Sequence, residues 1–366
     1  MTSVQMPFMA GRRVLVTGGA GFIGSAAVRR LVTDGAEVLN LDALTYAGDL
    51  STVASVADRP GYRFLRADIR DGAALGAAFA DFRPDLVMHF AAESHVDRSI
   101  DGPAAFIDTN VVGTATLLDT ALAYWRGLGG DAATGFRFLH VSTDEVYGAL
   151  GPDGFFTEDS PHRPNSPYSA SKAAADGLVR AWNRTYGLPT LIGNCSNNYG
   201  PFQHPEKLIP HVIAAILDGR PIPVYGDGSN IRDWLYVEDH IAALLTIAAQ
   251  GIPGETYLIG GDAEKTNLET VETLCAVLDD LAPSGDGPHA RLITFVPDRP
   301  GHDFRYAIDH ARLTGATGWQ PSRDFETGIR DTIRWYLENR DWWLAIRAAG
   351  QGAARIGLGK AAGGSR

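Results

Sequence analysis

Cysteine is almost missing: Cys195 and Cys275 are the only two among 366 residues. That excludes a disulfide framework, and their spacing offers no zinc ligand set. No metal is expected, and a reducing cytoplasm is the expected setting. Cations are in deficit as well, with 32 Lys and Arg against 43 Asp and Glu, a formal net charge of −11. A broad nucleic-acid surface needs clustered basic side chains, so no nucleic-acid partner is expected and any phosphate must be held locally. Long apolar runs are lacking too. The stretch over residues 241–249 is too short to cross a bilayer, and Met1-Thr2-Ser3-Val4-Gln5 carries no apolar signal core, which argues against a membrane partner. No internal repeat is visible.

What the chain does have is enough apolar material, 45% of its residues, to fill a large core. Short β-branched runs alternate with helix-like segments: Arg13-Val14-Leu15-Val16-Thr17, Glu37-Val38-Leu39-Asn40-Leu41, Tyr62-Arg63-Phe64-Leu65, residues 85–90, residues 137–141 and Pro189-Thr190-Leu191-Ile192. Strands separated by helices imply βαβ units, hence an α/β Rossmann-type doubly wound parallel sheet. After Asn197 the punctuation changes to Gly200-Pro201, Arg220-Pro221-Ile222-Pro223 and Gly226-Asp227-Gly228, as expected of loops around a ligand. We therefore expect a dinucleotide-binding domain over residues 1–193. A smaller C-terminal lobe over 194–348, interleaved with the first, would bind substrate. Residues 349–366, rich in Gly and Ala, read as a flexible tail.

The first strand runs into Thr17-Gly18-Gly19-Ala20-Gly21-Phe22-Ile23-Gly24, which contains both GxGxxG and GxxGxxG. Glycines let the backbone approach a pyrophosphate, and the helix that follows presents its amide hydrogens there. Alone the motif is weak, since a tight turn needs glycines too. Its context strengthens it, because the second strand ends at Asp42, where a carboxylate accepts ribose hydroxyls. No Lys or Arg follows in Asp42-Ala43-Leu44-Thr45, so NAD is expected rather than NADP. Asp68 and Ile69, after the third strand, are placed to hold the adenine, although an Asp there is as often a helix cap.

Tyr168-Ser169-Ala170-Ser171-Lys172 sets Tyr168 and Lys172 one turn apart on a helix face. An ammonium beside a phenol favours the phenolate, so Tyr168 is expected at a lowered pKa, as a general base for an alcohol. By itself this pattern is common on surfaces. The more discriminating segment is Ser142-Thr143-Asp144-Glu145-Val146-Tyr147-Gly148, at the carboxyl end of a parallel strand, where this architecture builds its sites. Two adjacent carboxyls can divide an acid's and a base's work if their environments separate their pKa values. The plainer alternative is that they begin a helix and stabilise its N-terminus.

With these segments in view, the chain resembles the extended short-chain dehydrogenase/reductase family, and within it the dTDP-glucose 4,6-dehydratases, from Arg13 to about Arg340. The resemblance also runs through residues 91–99, Asn197-Asn198-Tyr199-Gly200-Pro201, Pro205-Glu206-Lys207-Leu208-Ile209-Pro210 and residues 228–234. It implies a hydro-lyase of deoxysugar biosynthesis, NAD-dependent and homodimeric, acting on a nucleotide sugar. In it Tyr168, helped by Lys172 and with Thr143 positioning the hydroxyl, takes the C4 proton, while Glu145 and Asp144 serve as base and acid for loss of water across C5 and C6. The same matching assigns NAD contacts to Gly18, Gly21, Phe22, Ile23, Gly24, Asp42, Ala43, Leu44, Thr45, Asp68, Ile69, Phe90, Ala91, Ala92, Glu93, Ser94, Thr109, Tyr168, Lys172 and Asn198. Substrate contacts fall on Ser94, Thr143, Asn197, Glu206, Lys207, Leu208, Pro223, Val224, Tyr225, Arg232, Asn267, Asp298, Arg299 and His302. Asn194 and Phe304 depart from the family pattern, where a basic and a polar residue are usual.

Three other readings compete. A sugar-nucleotide 4-epimerase shares the glycines and the Tyr/Lys pair but needs no acid and base at C6 and C5. A GDP-mannose dehydratase ordinarily uses NADP, which Asp42 opposes. A non-catalytic NAD-binding sensor or scaffold has no use for an intact Thr143, Asp144, Glu145, Tyr168 and Lys172. The dimer is expected to bury the helix after Pro103 and the Tyr168 helix, through Val111, Leu117, Leu118 and Leu122, whose plainer role is packing on their own sheet.

Overall fold

The structure is a computed structural model that describes residues 9–298 and 302–348. Arg299 and the expected tail, 349–366, lie outside the described residues. The strands are β1 (Arg13–Thr17), β2 (Glu37–Asp42), β3 (Tyr62–Arg66), β4 (Leu86–His89), β5 (Arg137–Thr143), β6 (Thr190–Cys195), β7 (Asn197–Tyr199), β8 (Ile222–Tyr225), β9 (Ile231–Tyr236), β10 (Thr256–Ile259), β11 (Glu264–Thr266) and β12 (Ile293–Val296). Seven of them form one sheet in the order β10-β6-β5-β4-β1-β2-β3. Every pairing in it is parallel, so the sheet is doubly wound and its order reverses between β1 and β4.

Alternation along β1 explains the layering. Val14 and Val16 pack under the Phe22–Thr33 and Val237–Gln250 helices, while Leu15 turns to the layer holding Leu75, Phe79, Leu117, Leu118 and Val179. Each face of the sheet is thus covered by helices, as an all-parallel sheet requires. At an upper-range 25 cal/mol per Å² of apolar area, each of these fully buried side chains contributes about 1.5–3 kcal/mol.

The chain after β6 divides its effort. β10 returns to the large sheet beside β6, whereas β11-β9-β7 and β12-β8 form two small sheets. These pack with the Leu208–Leu217, Asn267–Leu281 and Phe325–Glu338 helices around Val224, Trp234, Tyr236 and Ile333.

Two helices place the site. The Pro167–Tyr186 helix starts from a capping box in which Ser166 and Ser169 satisfy each other's backbone amides, with Pro167 in the first turn, and stops at Gly187, whose φ of +77° suits glycine. The run after Pro103 is not one regular helix: Ile107–Gly113 is π-helical before the α-helix Thr114–Arg126 resumes. The expected dimer residues need correcting here. Leu117, Leu118 and Leu122 are buried on the chain's own sheet, and the apolar side chains that this run exposes are Ile107 and Val112, 53% and 50% accessible.

Candidate active site

A single cleft of about 590 Å³ runs along the carboxyl ends of β1, β2, β4, β5 and β6. Its cofactor end is shaped by missing side chains. A Cβ on Gly18 would lie 2.6 Å from the Ala91 amide nitrogen, and one on Gly24 would lie 2.2 Å from the Gly18 carbonyl oxygen. Gly21 caps the Phe22–Thr33 helix without a side-chain hydrogen bond, so the first-turn amides are directed at the cleft. This cradle fits a dinucleotide pyrophosphate. Asp42 closes the ribose end: its carboxylate accepts the Ala20 and Leu44 amides at 2.9 and 2.8 Å. Leu44 pays for that bend with a φ of +54°, costly for a branched side chain.

Gly18, Gly21, Phe22, Ile23, Gly24, Asp42, Ala43, Thr45, Asp68, Ile69, Phe90, Ala91, Ala92, Glu93, Ser94, Thr109, Tyr168, Lys172 and Asn198 all line the cleft. Leu44 stands behind its wall. Asp68 does not cap the following helix, a task that Asp71 performs. It pairs instead with Arg70, 2.6 Å away. Arg70 also lines the cleft and is a cation that Asp42-Ala43-Leu44-Thr45 does not contain. Because Asp68 neutralises it, the pair leaves the ribose end without the spare positive charge a 2′-phosphate needs.

The catalytic floor is built where β5 outruns its apolar stretch. Ser142 and Thr143 still pair with Asn194 and Cys195 on β6, and Asp144–Tyr147 then makes one 3₁₀ turn. Thr143 caps that turn by accepting the Glu145 amide and donates to Asp144 at 3.2 Å. Asp144 is 1% exposed. Burial first, then the neighbouring Glu145 and Asp233, push its carboxyl well above the ordinary range, which favours its protonated form. Glu145, Thr143 and Tyr168 open on the cleft.

Tyr168 departs from expectation. Its phenol is pushed well above its usual pKa by burial and by the carboxyls of Glu145 and Asp144, against a hydrogen bond with Thr143 that pulls it down. The lysine does not offset this. Its ammonium donates to the Val141 carbonyl oxygen at 2.9 Å and faces His140 Nε2 at 3.4 Å. Shared helix face therefore did not translate into a depressed phenol, because desolvation beside two carboxyls outweighs one cation held a turn deeper.

The expected substrate contacts divide. Ser94, Thr143, Asn197, Glu206 and Lys207 line the cleft. Glu206 is gripped by Arg98 at 3.3 Å, and Lys207 donates to the Ser94 carbonyl oxygen at 3.0 Å. Arg232 donates to the carbonyl oxygens of Ile231 and Asp303 and lies 4.5 Å from the Tyr306 ring centre. His302 Nδ1 meets Asp298 at 2.6 Å, with Tyr225 edge-on to its ring. Asn267 begins a helix by donating its amide to the Asn230 carbonyl oxygen, and Pro223 is half-buried on β8. Val224 is a correction: its side chain is in the core of the small lobe, so only its backbone can face a ligand. Leu208 likewise packs toward that core.

Several wall residues were not foreseen. Tyr46, Phe202, His204, Trp342 and Ile346 line the cleft, and Arg98 stacks 4.0 Å from the Tyr46 ring centre. Asn110, hidden in the π-helical stretch, clamps the loop after β4 by bonding both backbone groups of Glu93 and reaches Ser171 at 2.8 Å. An amide in an otherwise apolar helix face was the available signal. Among the described residues no cluster of His, Cys, Asp and Glu is arranged to hold a metal ion, and no helix is long and apolar enough to cross a membrane.

Comparison with known proteins agrees with this geometry. Residues 15–332 match the family model described as GDP-mannose 4,6 dehydratase. The dTDP-glucose 4,6-dehydratase of Neisseria meningitidis serogroup B is 56% identical over 354 residues, which is 95% of this chain and all of that one. Among solved structures, the dTDP-glucose 4,6-dehydratase of Streptomyces venezuelae with NAD and dTDP bound is 46% identical, covering 91% of this chain and 99% of that one, with a TM-score of 0.83. The Bacillus anthracis enzyme of the same name, in complex with NAD, is 42% identical, covering 92% of this chain and all of that one, with a TM-score of 0.82.

Proposed function

The chain belongs to the dTDP-glucose 4,6-dehydratase family, and from that membership we propose that it converts dTDP-glucose to dTDP-4-keto-6-deoxyglucose and water. The observation that carries the reading is the pair of adjacent carboxyls at the end of β5, Asp144 being 1% exposed and accepting from Thr143 at 3.2 Å while Glu145, Thr143 and Tyr168 line the cleft. An epimerase has no step that uses this pair.

NAD, held along the glycine turn, Asp42 and Lys172, supplies the hydride acceptor at C4 and the donor at C6. As its phenolate, a form that the bare pocket disfavours and that the Lys172 ammonium and the positive charge of bound NAD would favour, Tyr168 takes the C4 hydroxyl proton, with Thr143 aligning that hydroxyl. The resulting C4 ketone acidifies the C5 hydrogen. Glu145 removes the C5 proton, and Asp144 gives its proton to the departing C6 hydroxyl, which leaves as water. Glu145 then returns its proton to C5. At the end Tyr168 holds one proton too many and Asp144 one too few, and exchange with solvent resets both.

The remaining assignments follow from the same membership. Lys207, Tyr225, Arg232 and His302 surround the nucleotide, with Arg299 expected beside them. Two exposed side chains, Ile107 and Val112, support a homodimer through the helical run after Pro103. Two buried free cysteines are compatible with the cytoplasm. Thymine and uracil differ by one methyl group, worth about 1–3 kcal/mol in an apolar pocket. The test is incubation with dTDP-, UDP-, CDP- and GDP-hexoses, followed by mass spectrometry for loss of one water. Loss from the dTDP sugar at the highest rate supports the reading. Epimerisation without water loss, or sustained release of reduced cofactor, contradicts it.

A further inference from the structure

Behind the catalytic floor lies a buried polar compartment around Lys172, most of whose groups the reaction above does not use. Asp176 sits one turn beyond Lys172 on the Pro167–Tyr186 helix, and both are almost fully buried, at 1% and 4% exposure. Facing both from β5 is His140, whose Nε2 is 3.4 Å from Lys172 Nζ and 3.3 Å from Asp176 Oδ1. The other carboxylate oxygen accepts Asn194 Nδ2 at 3.1 Å, and the same amide donates to the Thr143 carbonyl oxygen at 3.0 Å. One carboxylate is thereby tied to Lys172 and to the strand end that carries Thr143.

The charges in this compartment leave Asp176 a particular task. Facing Lys172 are His140 from β5, His89 from β4, Cys195 from β6 and Asp176 from its own helix. Burial pulls His140 down to about 4, with Lys172 adding to the effect, and lowers His89 well below the usual imidazole range, so both are neutral at pH 7. Burial pushes the Cys195 thiol up, which keeps it neutral too. Asp176 resists its own burial through the His140 hydrogen bond and the nearby ammonium, and stays ionised. It is the anion of the set. Burial alone pulls the Lys172 ammonium down, and Asp176 opposes that, leaving it at about 8.

Resting on the assignment of Lys172 as the cation that serves Tyr168, we propose that Asp176 is a positioning residue, the buried counter-ion that keeps Lys172 protonated and anchored during turnover. His140 is the spacer between them, and Asn194 the strut that holds the carboxylate against the Thr143 strand end. The alternative is a purely structural fastening of helix to sheet, which would not depend on pH.

Two measurements separate these. The first is competitive acylation of the Lys172 amine by acetic anhydride across pH, read by peptide mass spectrometry, on the native protein, on the neutral variants Asp176→Asn and Asp176→Ser, and on Asp176→Glu, which keeps the charge. The second is kcat/KM of the same proteins against pH. In the native protein Lys172 should label as a protonated amine at pH 7, and a freely reactive amine there overturns the proposal. In either neutral variant, the amine titration and the alkaline limb of kcat/KM should both move toward acid by about one pH unit or more. Activity at pH 6 should stay within about tenfold of native, and Asp176→Glu should restore the limb. Activity lost by one factor at every pH, or an unmoved Lys172 titration, overturns it. Failure of the native protein to dehydrate dTDP-glucose would instead overturn the functional reading, leaving the labelling result to stand alone.

Discussion

The floor of the cleft and the proposed nucleotide rim are built on opposite plans. On the floor, Thr143 ends one strand and Asp144 begins the turn that follows it, Tyr168 and Lys172 share one helix, and a second layer of buried polar groups locks them. The proposed nucleotide rim, none of whose four side chains is among the residues that line the cleft, draws Tyr225, Arg232, Asp298 and His302 from three separated stretches of chain and holds them to carbonyl oxygens or to one another. Proton transfer tolerates little displacement, which suits groups on strand ends and helices, whereas a nucleotide can be gripped by loops, and the proposed roles divide in that way. Damage to the floor should therefore appear in kcat, and damage to the rim in KM.

The sharpest way to test this contrast is Tyr168→Phe, which removes the proposed proton acceptor for the first step. Turnover should fall about 10²–10⁴-fold with sugar nucleotide binding kept, as measured by steady-state kinetics and calorimetry. Asp144→Asn should lose a comparable factor, yet it should also be more stable. The folded protein holds Asp144 protonated above the pKa of an unfolded Asp, so it binds more protons than the unfolded chain. Stability is then lost as pH rises from the unfolded toward the folded value, and an amide removes that loss. A melting temperature above native at pH 7 and equal to native near pH 3 checks the sign.

Smaller effects belong to the rim. His302→Ala, which releases Asp298 and the Tyr225 edge contact, should raise KM about tenfold with kcat nearly unchanged. A kcat loss of the same size would erase the contrast between the two regions. Smallest of all should be Trp342→Ala. Its indole donates to Ser51 at 2.9 Å and packs on Phe202 across the cofactor end. Release of NAD, followed by stopped-flow fluorescence, should quicken about fivefold.

The same contrast explains what the sequence disclosed. Glycines, Asp42 and residues 142–148 are contiguous or follow a strand at a fixed offset, so the dinucleotide turn, the parallel sheet and the placing of two carboxyls at the end of β5 were legible. β5 runs to Thr143 although its apolar run stops at Val141, because Ser142 and Thr143 are polar residues paired to β6. Helical periodicity could not separate Leu117 and Leu118, which pack inward, from Val112, which points out, because Ile107–Gly113 is wound as a π-helix and shifts the faces. Arg70, Phe202 and Trp342 reach the cleft from distant segments, and only folding brings them together. Tyr168 was misjudged for a related reason: the spacing of Lys172 was visible, but the burial and the two carboxyls that raise the phenol were not.

The account turns on a division of labour, with Tyr168 serving oxidation and Asp144 and Glu145 serving elimination. Rapid mixing of Glu145→Gln with dTDP-glucose, followed at the reduced nicotinamide absorbance, tests it most directly. The expected result is a build-up of bound reduced cofactor approaching one per site, with water loss slowed about 10²–10⁴-fold, while Tyr168→Phe shows no such signal. A Glu145→Gln protein that is as silent as Tyr168→Phe, or that eliminates water at the native rate, would contradict it.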